Sequence, residues 1–277
     1  MRVIHFTKMH GAGNDFVLVD DRDESFPVHD HLRLAAFASA RTGIGCEGVI
    51  LVQPSKTFDF RMAFFNPDGT EADLCGNGAR CVAWFAREIG AAKGRSMTFE
   101  TRAGLVDAEV LDAGKVRVWM PEPRDRRYNL QVEGATGDYI VTGVPHFVVA
   151  CDSVSSVDVA ARGRALRLAE AFEPDGTNVD FVQYIPPHKA LMRTYERGVE
   201  AESGACGTGA VATAIVGVET KGMSLPMHIR TSEGFELTVD GDYRRARSTG
   251  ITLTGPVKKV FEGDIDLDAL DTAGEME

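Results

Sequence analysis

The hydrophobic and polar positions along this chain predict an α+β protein with many short strands and few helices. Apolar or alternating runs predict strands at Val3–Lys8, Phe16–Asp20, Val49–Val52, Phe60–Phe65, Met97–Thr101, Leu105–Val110, Val116–Met120, Tyr139–Thr142, His146–Val149, Asn178–Tyr184, Ala190–Tyr195, Met227–Thr231, Glu236–Asp240 and Arg247–Thr254. Helical spacing predicts helices at His31–Arg41 and Val157–Ala171, although Gly163 weakens the second. We expect Met9–Asp15 to form a loop, and Pro121–Arg124 with the charged run after it to cross from one lobe to another.

Two further predicted helices each follow a Cys-Gly-x-Gly sequence. Cys75-Gly76-Asn77-Gly78 precedes a helical pattern that ends at Gly90, and Cys206-Gly207-Thr208-Gly209 precedes one that ends at Gly222. Backbone N–H groups and the helix dipole favour negative charge at a helix N-terminus, so each thiol is expected to ionise more easily than usual. The glycines are expected to let a bound carboxylate approach the same N–H groups.

The similarity between the two halves extends beyond the cysteines. Phe99–Gly104 resembles Ile229–Gly234, and the threonines of these segments follow their cysteines by 26 and 25 residues. A looser similarity relates Asn14–Val17 to Asn178–Val182. A chance recurrence with buried, inert cysteines is the alternative, but it does not account for the matching strands. The sequence therefore predicts two homologous lobes, each carrying one thiol.

Composition narrows the class of protein. A length of 277 residues suggests about two domains, and 44% hydrophobic with 26% charged residues is typical of a soluble protein. The net charge of −11 argues against a nucleic-acid partner. No apolar run reaches membrane-spanning length and the N-terminus lacks a signal-peptide pattern, so we expect a cytoplasmic protein without a membrane partner.

The cysteines and other polar residues indicate the chemistry. Five cysteines without a signal peptide favour reduced thiols over disulfides, and the spacing of Cys75 and Cys81 does not suit a metal site. Two activated thiols on opposite faces of an α-carbon could remove one proton and deliver another, which inverts the centre without a cofactor. Asn14, Asn178, His146 and the pair Glu196-Arg197 stand at strand–loop junctions, where site residues tend to lie.

Six segments carry a more specific pattern. They are Phe6–Phe16, Phe65–Gly69, Cys75–Cys81, Gly176–Val179, Tyr195–Gly198 and Ala205–Gly209. On these segments the chain resembles the diaminopimelate epimerase family along nearly its whole length. The resemblance implies interconversion of LL- and meso-2,6-diaminopimelate by a cofactor-independent two-base isomerase, a step of lysine and peptidoglycan-precursor biosynthesis.

The resemblance also implies an architecture. It predicts two similar pseudo-symmetric lobes, each a twisted, mostly antiparallel sheet wrapped around a central helix, with the active site in the cleft between them. The lobes are expected at residues 1–124 with 254–277, since the family's last strand returns to the first lobe, and at 125–253. Members of the family are often homodimers, so we expect a homodimer acting on a small amino-acid substrate.

Residue roles follow from the same resemblance. Cys75 and Cys206 are expected to be the acid–base thiols, with His146 and Glu196 setting their pKa values. Substrate contacts are expected from Asn14, Asn66, Asn178, Glu196 and Arg197, and from the backbone N–H groups of Gly76, Asn77, Gly207 and Thr208. No metal or cofactor is expected.

The chain departs from the family pattern at three places. Val144 stands where many members have asparagine, Gly48 follows Cys46-Glu47 where some place glutamine, and the loop 199–204 is one residue longer with Ser203 in place of the common threonine. Two other functions therefore remain open. One is a racemase of the same fold for histidine, proline or hydroxyproline, and the other is a non-catalytic binding protein with a thiol switch.

Overall fold

The computed structural model describes residues 2–244 and 247–270 of the chain. Its first eight strands and two helices are β1 Val3–Gly11, β2 Asn14–Asp20, α1 His31–Ala38, β3 Val49–Gln53, β4 Phe60–Phe65, β5 Glu71–Ala72, α2 Gly76–Glu88, β6 Ser96–Thr101, β7 Gly104–Val110 and β8 Lys115–Trp119. The remaining elements are β9 Arg124–Val132, β10 Ala135–Val141, β11 Pro145–Ala150, α3 Val159–Arg167, β12 Asn178–Ile185, β13 Lys189–Glu196, β14 Ala201–Ser203, α4 Gly207–Thr220, β15 Met227–Arg230, β16 Glu236–Arg244 and β17 Arg247–Asp266.

The chain divides into two compact units. One comprises Met1–Val118 with Pro256–Glu277, and the other comprises Trp119–Gly255. The sequence placed the first boundary after residue 124, a few residues later than the observed break after Val118. It placed the second boundary after residue 253, slightly earlier than the observed break after Gly255. The strand β17 passes from the second unit into the first at Pro256.

In the first unit, most strands pair with the next strand along the chain. β1 and β2 are antiparallel, β2 and β3 parallel, β3 and β4 antiparallel, and β4 pairs with β5 antiparallel and with β6 in parallel. β6, β7 and β8 continue as an antiparallel series. The last part of β17, Val257–Asp266, pairs with the other edge of β1. This pairing agrees with the expectation that the C-terminal strand returns to the first lobe.

The second unit repeats that order. β10 to β16 and the first part of β17 pair in the same parallel and antiparallel sequence as β1 to β8. β9 pairs antiparallel with β10, just as the end of β17 pairs antiparallel with β1, the equivalent strand of the first unit. The long helices α2 and α4 occupy equivalent places, before β6 and β15, so the two predicted repeats are confirmed at the level of topology.

Each of these helices packs inside the strands of its own unit. α2 contacts β1, β2, β3 and β7, whereas α4 contacts β10, β11, β12, β13, β15 and β16. Ten residues of α4 are buried and they lie on all sides of the helix, which is the pattern of a helix enclosed by other elements. Sheets therefore surround both central helices, as predicted. Among the helices of the described residues, none has the length and apolar character needed to cross a membrane.

Two sequence predictions about elements were wrong, and two short strands were missed. The charged run expected to cross between lobes is strand β9, which is mostly exposed and therefore lacks the apolar alternation that identifies a strand. The predicted loop Met9–Asp15 is a tight hairpin in which only Ala12 and Gly13 separate β1 from β2. Both have positive φ, 55° and 95°, as a type I′ turn requires. The short strands β5 and β14 were not predicted.

Helix ends also differ from the predictions. α1 stops at Ala38 because Ser39 is extended, and the N–H groups of Ile44 and Cys46 bind the carbonyls of Phe37 and Ala38. α3 begins only after Asp158, whose side chain caps Ala161 N–H at 3.0 Å. Gly90 and Gly222 have positive φ just after α2 and α4, so the predicted glycine stops are confirmed.

Candidate active site

Each Cys-Gly-x-Gly cysteine is the N-cap residue of a central helix. Cys75 precedes α2 with an extended backbone, and its carbonyl accepts the first helical hydrogen bond from Ala79 N–H at 2.7 Å. Cys206 precedes α4 in the same way and accepts from Ala210 N–H at 3.0 Å. Neither side chain caps its helix, so both sulfurs are available for other contacts beside the N–H groups of the first turn.

The Cys75 sulfur lies beside the tight hairpin of the first unit. Its Sγ donates to Asn14 Oδ1 at 3.6 Å, and Asn77 Nδ2 donates to the same oxygen at 3.2 Å. Asn14 Nδ2 in turn donates to Glu47 Oε2. Because both ends of the Asn14 amide are bonded, its oxygen is fixed toward the sulfur. The structure therefore brings together three predicted site residues, Cys75, Asn77 and Asn14.

The glycines of the motifs have different roles. A Cβ at Gly76 would meet nothing within 4 Å, so there is open space beside this residue. A Cβ at Gly78 would lie 3.0 Å from Ile50 Cδ1, and one at Gly209 would lie 2.5 Å from Asp180 Oδ1. The second glycine of each motif thus allows the helix to pack closely on a strand.

Asn66 lies in the turn after β4. Its backbone N–H donates to Thr70 O at 2.8 Å, and its side-chain Nδ2 donates to Thr70 Oγ1 at 3.1 Å. The adjacent Asp68 carboxyl has its pKa lowered because the side chain and backbone N–H of Thr70 both donate to it. This turn gives Asn66 a defined position at the carboxyl end of a buried strand.

A buried polar chain supports Cys206 in the second unit. The Cys206 sulfur lies 3.5 Å from Thr208 Oγ1, which lies 2.9 Å from His146 Nε2. His146 Nδ1 lies 2.7 Å from Asp180 Oδ2, and His146 and Asp180 are both fully buried. The Asp180 carboxylate accepts the proton of Nδ1, and when Nε2 carries no proton it accepts from the Thr208 hydroxyl. The Thr208 oxygen is then left to accept the Cys206 S–H.

Asn178 supports the same histidine. Its Nδ2 lies 3.4 Å from His146 Nε2, and its Oδ1 accepts from the backbone N–H of Arg197 at 2.7 Å. The second contact fixes the amide so that Nδ2 is the donor toward the ring. The Arg197 side chain donates to Asp175 O at 3.3 Å. Asn178 is thus joined to His146 and to the backbone of Arg197, while the Arg197 guanidinium contacts a neighbouring loop.

The pKa of Cys206 contradicts the expectation of easy ionisation. Burial raises the pKa of this thiol well above its usual range, and the negative charges of Glu196 and Asp180 raise it further. Contacts from Thr208 and from Gly209 N–H lower it, but they do not outweigh burial. Glu196 therefore raises the pKa of the thiol, and within the described residues His146 reaches the thiol through Thr208.

Strand register corrects one part of the predicted duplication. Gly78 packs on Ile50 and Gly209 on Asp180, so these two strand residues are equivalent. The parallel pairings Val17 with Val49 and Phe147 with Val179 then make Asn14 the equivalent of Val144. By the same count, Asn178 corresponds to Gly48. The looser similarity between the Asn14 and Asn178 segments is therefore not a structural repeat.

The antiparallel registers identify another equivalent pair. Val49 pairs with Phe65 and Val179 pairs with Tyr195, so the next residues, Asn66 and Glu196, occupy the same place in the two units. Both had been predicted as site residues without a known relation to each other. An amide in one unit thus stands where the other unit has a carboxylate.

Sequence reasoning missed two residues of these networks. Asp180 holds His146 and also accepts from Thr194 Oγ1 at 2.7 Å, and Glu47 holds Asn14. Asn178 and Asp180 alternate on one face of an otherwise apolar strand, and this buried polar pair is the signal that could have indicated them. No such pattern marks Glu47, which lies in a loop.

The other three cysteines are separate from these networks. Burial raises the pKa of Cys46 to about 11, and it raises the pKa values of Cys81 and Cys151 as well. Cys81 is completely buried within α2. Within the described residues, none of the hydrogen bonds of the Asn14 or His146 networks includes these three cysteines.

Solved structures with the same fold include a phenazine biosynthesis protein and a hydroxyproline epimerase. A PhzF-family phenazine biosynthesis protein of Bacillus anthracis superposes with a TM-score of 0.74 at 18% identity, over 96% of this chain and 100% of that one. A hydroxyproline epimerase from Agrobacterium vitis gives 0.68 at 18% identity, over 96% and 93%. This chain therefore shares its fold with these two proteins.

Sequence comparison identifies the family within this fold. The family model "Diaminopimelate epimerase" matches residues 6–124 and 139–260. Relatives named diaminopimelate epimerase include one of Aquifex aeolicus, 42% identical over 97% of this chain and 100% of the relative, and one of Chlorobaculum tepidum, 38% identical over 94% and 100%. The chain belongs to the diaminopimelate epimerase family, as its resemblance predicted.

Proposed function

We propose that this protein is an isomerase that interconverts LL- and meso-2,6-diaminopimelate. Membership of the family supports the substrate. The observation that carries the mechanism is the repeated placement of a cysteine at the N-cap of a central helix, once in each unit. The product serves lysine and peptidoglycan-precursor biosynthesis.

The reaction we propose uses Cys75 and Cys206 as its two acid–base groups. A thiolate on one face takes the α-proton, and the bonding electrons remain on the α-carbon as a carboxylate-stabilised carbanion. A thiol on the opposite face then gives its proton to that carbon, and the centre is inverted. Protons and electrons balance, so the reaction as written needs neither a cofactor nor a metal. Turnover should survive treatment with EDTA.

The substrate's two ends have separate binding groups in this proposal. The backbone N–H groups of Gly76, Asn77, Gly207 and Thr208 bind the reacting α-carboxylate, whose negative charge grows as the proton leaves. The side chains of Asn14, Asn66, Asn178, Glu196 and Arg197 hold the remaining amino and carboxylate groups. Val144 replaces an amide at one such position, since it is the equivalent of Asn14.

His146 and Glu196 act on the thiol of Cys206. His146 orients the Thr208 hydroxyl. The hydroxyl oxygen then accepts a hydrogen bond from the Cys206 S–H, which keeps the direction of that S–H bond defined. The charge of Glu196 disfavours a second anion beside it. Both effects favour Cys206 as the protonated partner of the pair.

Replacement of each cysteine tests the two-base assignment. Cys75→Ala and Cys206→Ala should each reduce conversion of LL-diaminopimelate, followed by chiral chromatography, by about a thousandfold. Cys151→Ala is the matched control, because this half-buried cysteine lies outside both networks, and it should retain wild-type turnover. Full activity in either of the first two variants would refute the assignment.

Substrate identity is tested by comparing diaminopimelate with the amino acids that racemases of the same fold would use. The same wild-type protein should invert diaminopimelate and leave L-histidine, L-proline and hydroxyproline unchanged. Inversion of one of these three alone would favour a racemase of the same fold. Absence of α-proton exchange from all four substrates, with fully reduced thiols, would favour a binding protein.

We further propose a cytoplasmic homodimer. The family resemblance supports the dimer, and the reduced-thiol chemistry supports a reducing compartment. Light scattering coupled to size-exclusion chromatography should give twice the mass of the 30.0 kDa chain. A single-chain mass at micromolar concentration would contradict the dimer without affecting the proposed reaction.

A further inference from the structure

Three buried polar side chains form a connected group in the second unit. They are His146 in β11, Asp180 in β12 and Thr194 in β13, and each is 0% or 1% exposed. Thr194 Oγ1 donates to Asp180 Oδ1 at 2.7 Å, and His146 Nδ1 lies 2.7 Å from Asp180 Oδ2. Burying a carboxylate is costly even when both of its oxygens are hydrogen-bonded, so this group needs an explanation beyond packing.

The first unit has apolar residues at all three equivalent positions. The strand registers give the equivalents as Phe16 for His146, Ile50 for Asp180 and Phe64 for Thr194. All three apolar residues are buried, and the rings of Phe16 and Phe64 are in edge contact, with 6.2 Å between their centroids. Apolar side chains therefore satisfy the packing beside the central helix, and the fold does not require the polar group found in the second unit.

The hydrogen bonds around His146 indicate which ring nitrogen carries the proton. An ionised carboxylate can only accept, so Asp180 Oδ2 requires a proton on Nδ1. On the other side of the ring, Nε2 lies 2.9 Å from Thr208 Oγ1 and 3.4 Å from Asn178 Nδ2, which is a donor because the Asn178 oxygen accepts from Arg197 N–H. The neutral tautomer with its proton on Nδ1 satisfies all these neighbours. The opposite tautomer would turn an N–H toward the amide donor and a lone pair toward the carboxylate.

The tautomer of His146 affects the thiol through Thr208. With Nε2 as acceptor, the Thr208 hydroxyl gives its proton to the ring, and its oxygen accepts the S–H of Cys206, 3.5 Å away. With the opposite tautomer, the ring would donate to that oxygen, and the hydroxyl would turn its own proton toward the sulfur. A donor aimed at the sulfur favours the thiolate, whereas an acceptor favours the thiol. The position of one ring proton thus selects the protonation state of Cys206.

We propose that Asp180 is a positioning residue: it holds the proton of His146 on Nδ1, and through Thr208 it keeps Cys206 protonated in the resting protein. Thr194 in turn holds the Asp180 carboxylate in place. This inference rests on the proposed function, because it states how one of the two acid–base thiols is kept ready to donate. Its first test reads the ring nitrogens and does not depend on turnover, so the two proposals can fail separately.

Nitrogen NMR reads the tautomer directly. The histidines are labelled with nitrogen-15, and the His146 signals are identified as those that disappear in His146→Gln. At about pH 8, where an exposed histidine is neutral, the wild type should carry a proton on Nδ1 and none on Nε2. Asp180→Asn has nearly the same shape but offers an N–H to the ring, so the proton should move to Nε2.

Asp138→Asn is the matched control. Asp138 is also a buried aspartate of the second unit, and it also accepts from a threonine hydroxyl, Thr220 Oγ1, at 3.3 Å. Thr220 ends the 14-residue helix α4 and Cys206 precedes it, so the two lie roughly 20 Å apart along the helix. This variant should keep both the His146 tautomer and the turnover of the wild type.

Alkylation tests the consequence for the thiol. The protein is treated with iodoacetamide between about pH 5 and pH 10, and the peptides of the two N-cap cysteines are quantified by mass spectrometry, so that the midpoint of each pH profile reports ionisation. The titratable groups acting on Cys206 are Glu196, Asp180 and, through Thr208, His146. In Asp180→Asn the Cys206 midpoint should move to lower pH, because one negative charge is lost and the Thr208 hydroxyl turns toward the sulfur. The midpoint of the other N-cap cysteine should not move.

Kinetics separate positioning from substrate binding. Turnover in Asp180→Asn should fall about a hundredfold, with KM for diaminopimelate within about twofold of the wild type, because the completely buried Asp180 offers no surface to a substrate. Thr194→Val removes one donor to the carboxylate but leaves Asp180 beside the ring. It should keep the proton on Nδ1 and lower turnover by about tenfold or less.

Four results would overturn the proposal. The first is a wild-type His146 with its proton on Nε2, or with protons on both nitrogens, at about pH 8. The second is an unchanged tautomer in Asp180→Asn with circular dichroism showing an intact fold, and the third is a Cys206 midpoint in that variant that stays in place or rises. The fourth is an equal tautomer change in Asp138→Asn, which would indicate a general structural effect. If Asp180→Asn does not fold, the wild-type spectrum decides by itself.

Discussion

The Thr208 hydroxyl has two contacts that meet at one oxygen, His146 Nε2 at 2.9 Å and Cys206 Sγ at 3.5 Å. Thr208→Val keeps the shape of the side chain but removes both contacts, so Cys206 loses the acceptor that directs its S–H. We expect turnover to fall about tenfold or more. Thr213→Val is the matched control, because Thr213 lies in the same helix and its hydroxyl donates to Met192 Sδ, away from Cys206. Equal losses in the two variants would argue against a role for the Thr208 hydroxyl.

The charge of Glu196 should affect the pH at which Cys206 ionises, and the direction of this effect can be predicted. Its negative charge raises the pKa of the Cys206 thiol, because a second anion nearby is disfavoured. Glu196→Gln removes that charge, so the thiolate of Cys206 should form at lower pH than in the wild type. The alkylation profile of Cys206 should shift to lower pH while that of Cys75 stays in place. A shift to higher pH would show that Glu196 acts on the thiol by another route.

The two cysteines and Asp180 show how much of the candidate site could be predicted from the sequence. The Cys-Gly-x-Gly motif predicted both cysteines and their helix N-termini, because glycine and helical periodicity are local signals. Ionisation could not be predicted from the motif, since the pKa of Cys206 depends on burial and on charges brought from two other strands. Asp180 was missed for the same reason: its function depends on a neighbour, His146, that is distant in sequence.

At the scale of elements, Gly163 in α3 gives a prediction in which two effects oppose each other. Alanine has a higher helix propensity by about 1 kcal/mol, but its Cβ would lie 2.4 Å from Tyr195 Cβ. That atom is attached to the backbone of β13 and cannot move away alone, so we expect Gly163→Ala to lower the free energy of unfolding by ~2 kcal/mol. Urea denaturation checks this, and a stability equal to or above the wild type would contradict it.

The control for that prediction is Ala165→Gly in the same helix. Ala165 is exposed, so its replacement should cost about 1 kcal/mol through helix propensity alone and leave Tyr195 in place. The hydrogen bond from Tyr195 Oη to Glu200 O, 2.8 Å long, makes the tyrosine near-ultraviolet signal a useful second measurement. Only Gly163→Ala should change that signal.

Elements with a buried face were predicted well and exposed ones poorly. The predicted strand Phe60–Phe65 matches β4 residue for residue, because its side chains are almost all buried and the sequence is correspondingly apolar. β9 is mostly exposed and includes positive φ at Asp125 and Asn129, so neither composition nor alternation marks it as a strand. It is ordered by pairing with β10, and that information lies in another part of the chain.

At the scale of the whole molecule, the duplication preserves topology and changes chemistry. The strand pairings of the two units agree one by one, yet Ile50 stands where the other unit has Asp180, and Arg80 stands where it has Val211. The side chains packed against the two central helices therefore differ in charge between the units. A duplicated fold can thus supply two chemically distinct thiols while each unit keeps the same packing.

Distinct thiols predict a distinct isotope pattern. With LL-diaminopimelate in deuterium oxide, the abstracted protium leaves on one sulfur while the other sulfur, already exchanged with solvent, delivers deuterium. Early in the reaction, meso product should therefore carry deuterium at the inverted carbon, and recovered LL substrate should keep its protium. Proton NMR and mass spectrometry measure both. Product that retains protium at that carbon would indicate a single base that returns the same proton, and the two-thiol mechanism would then be wrong.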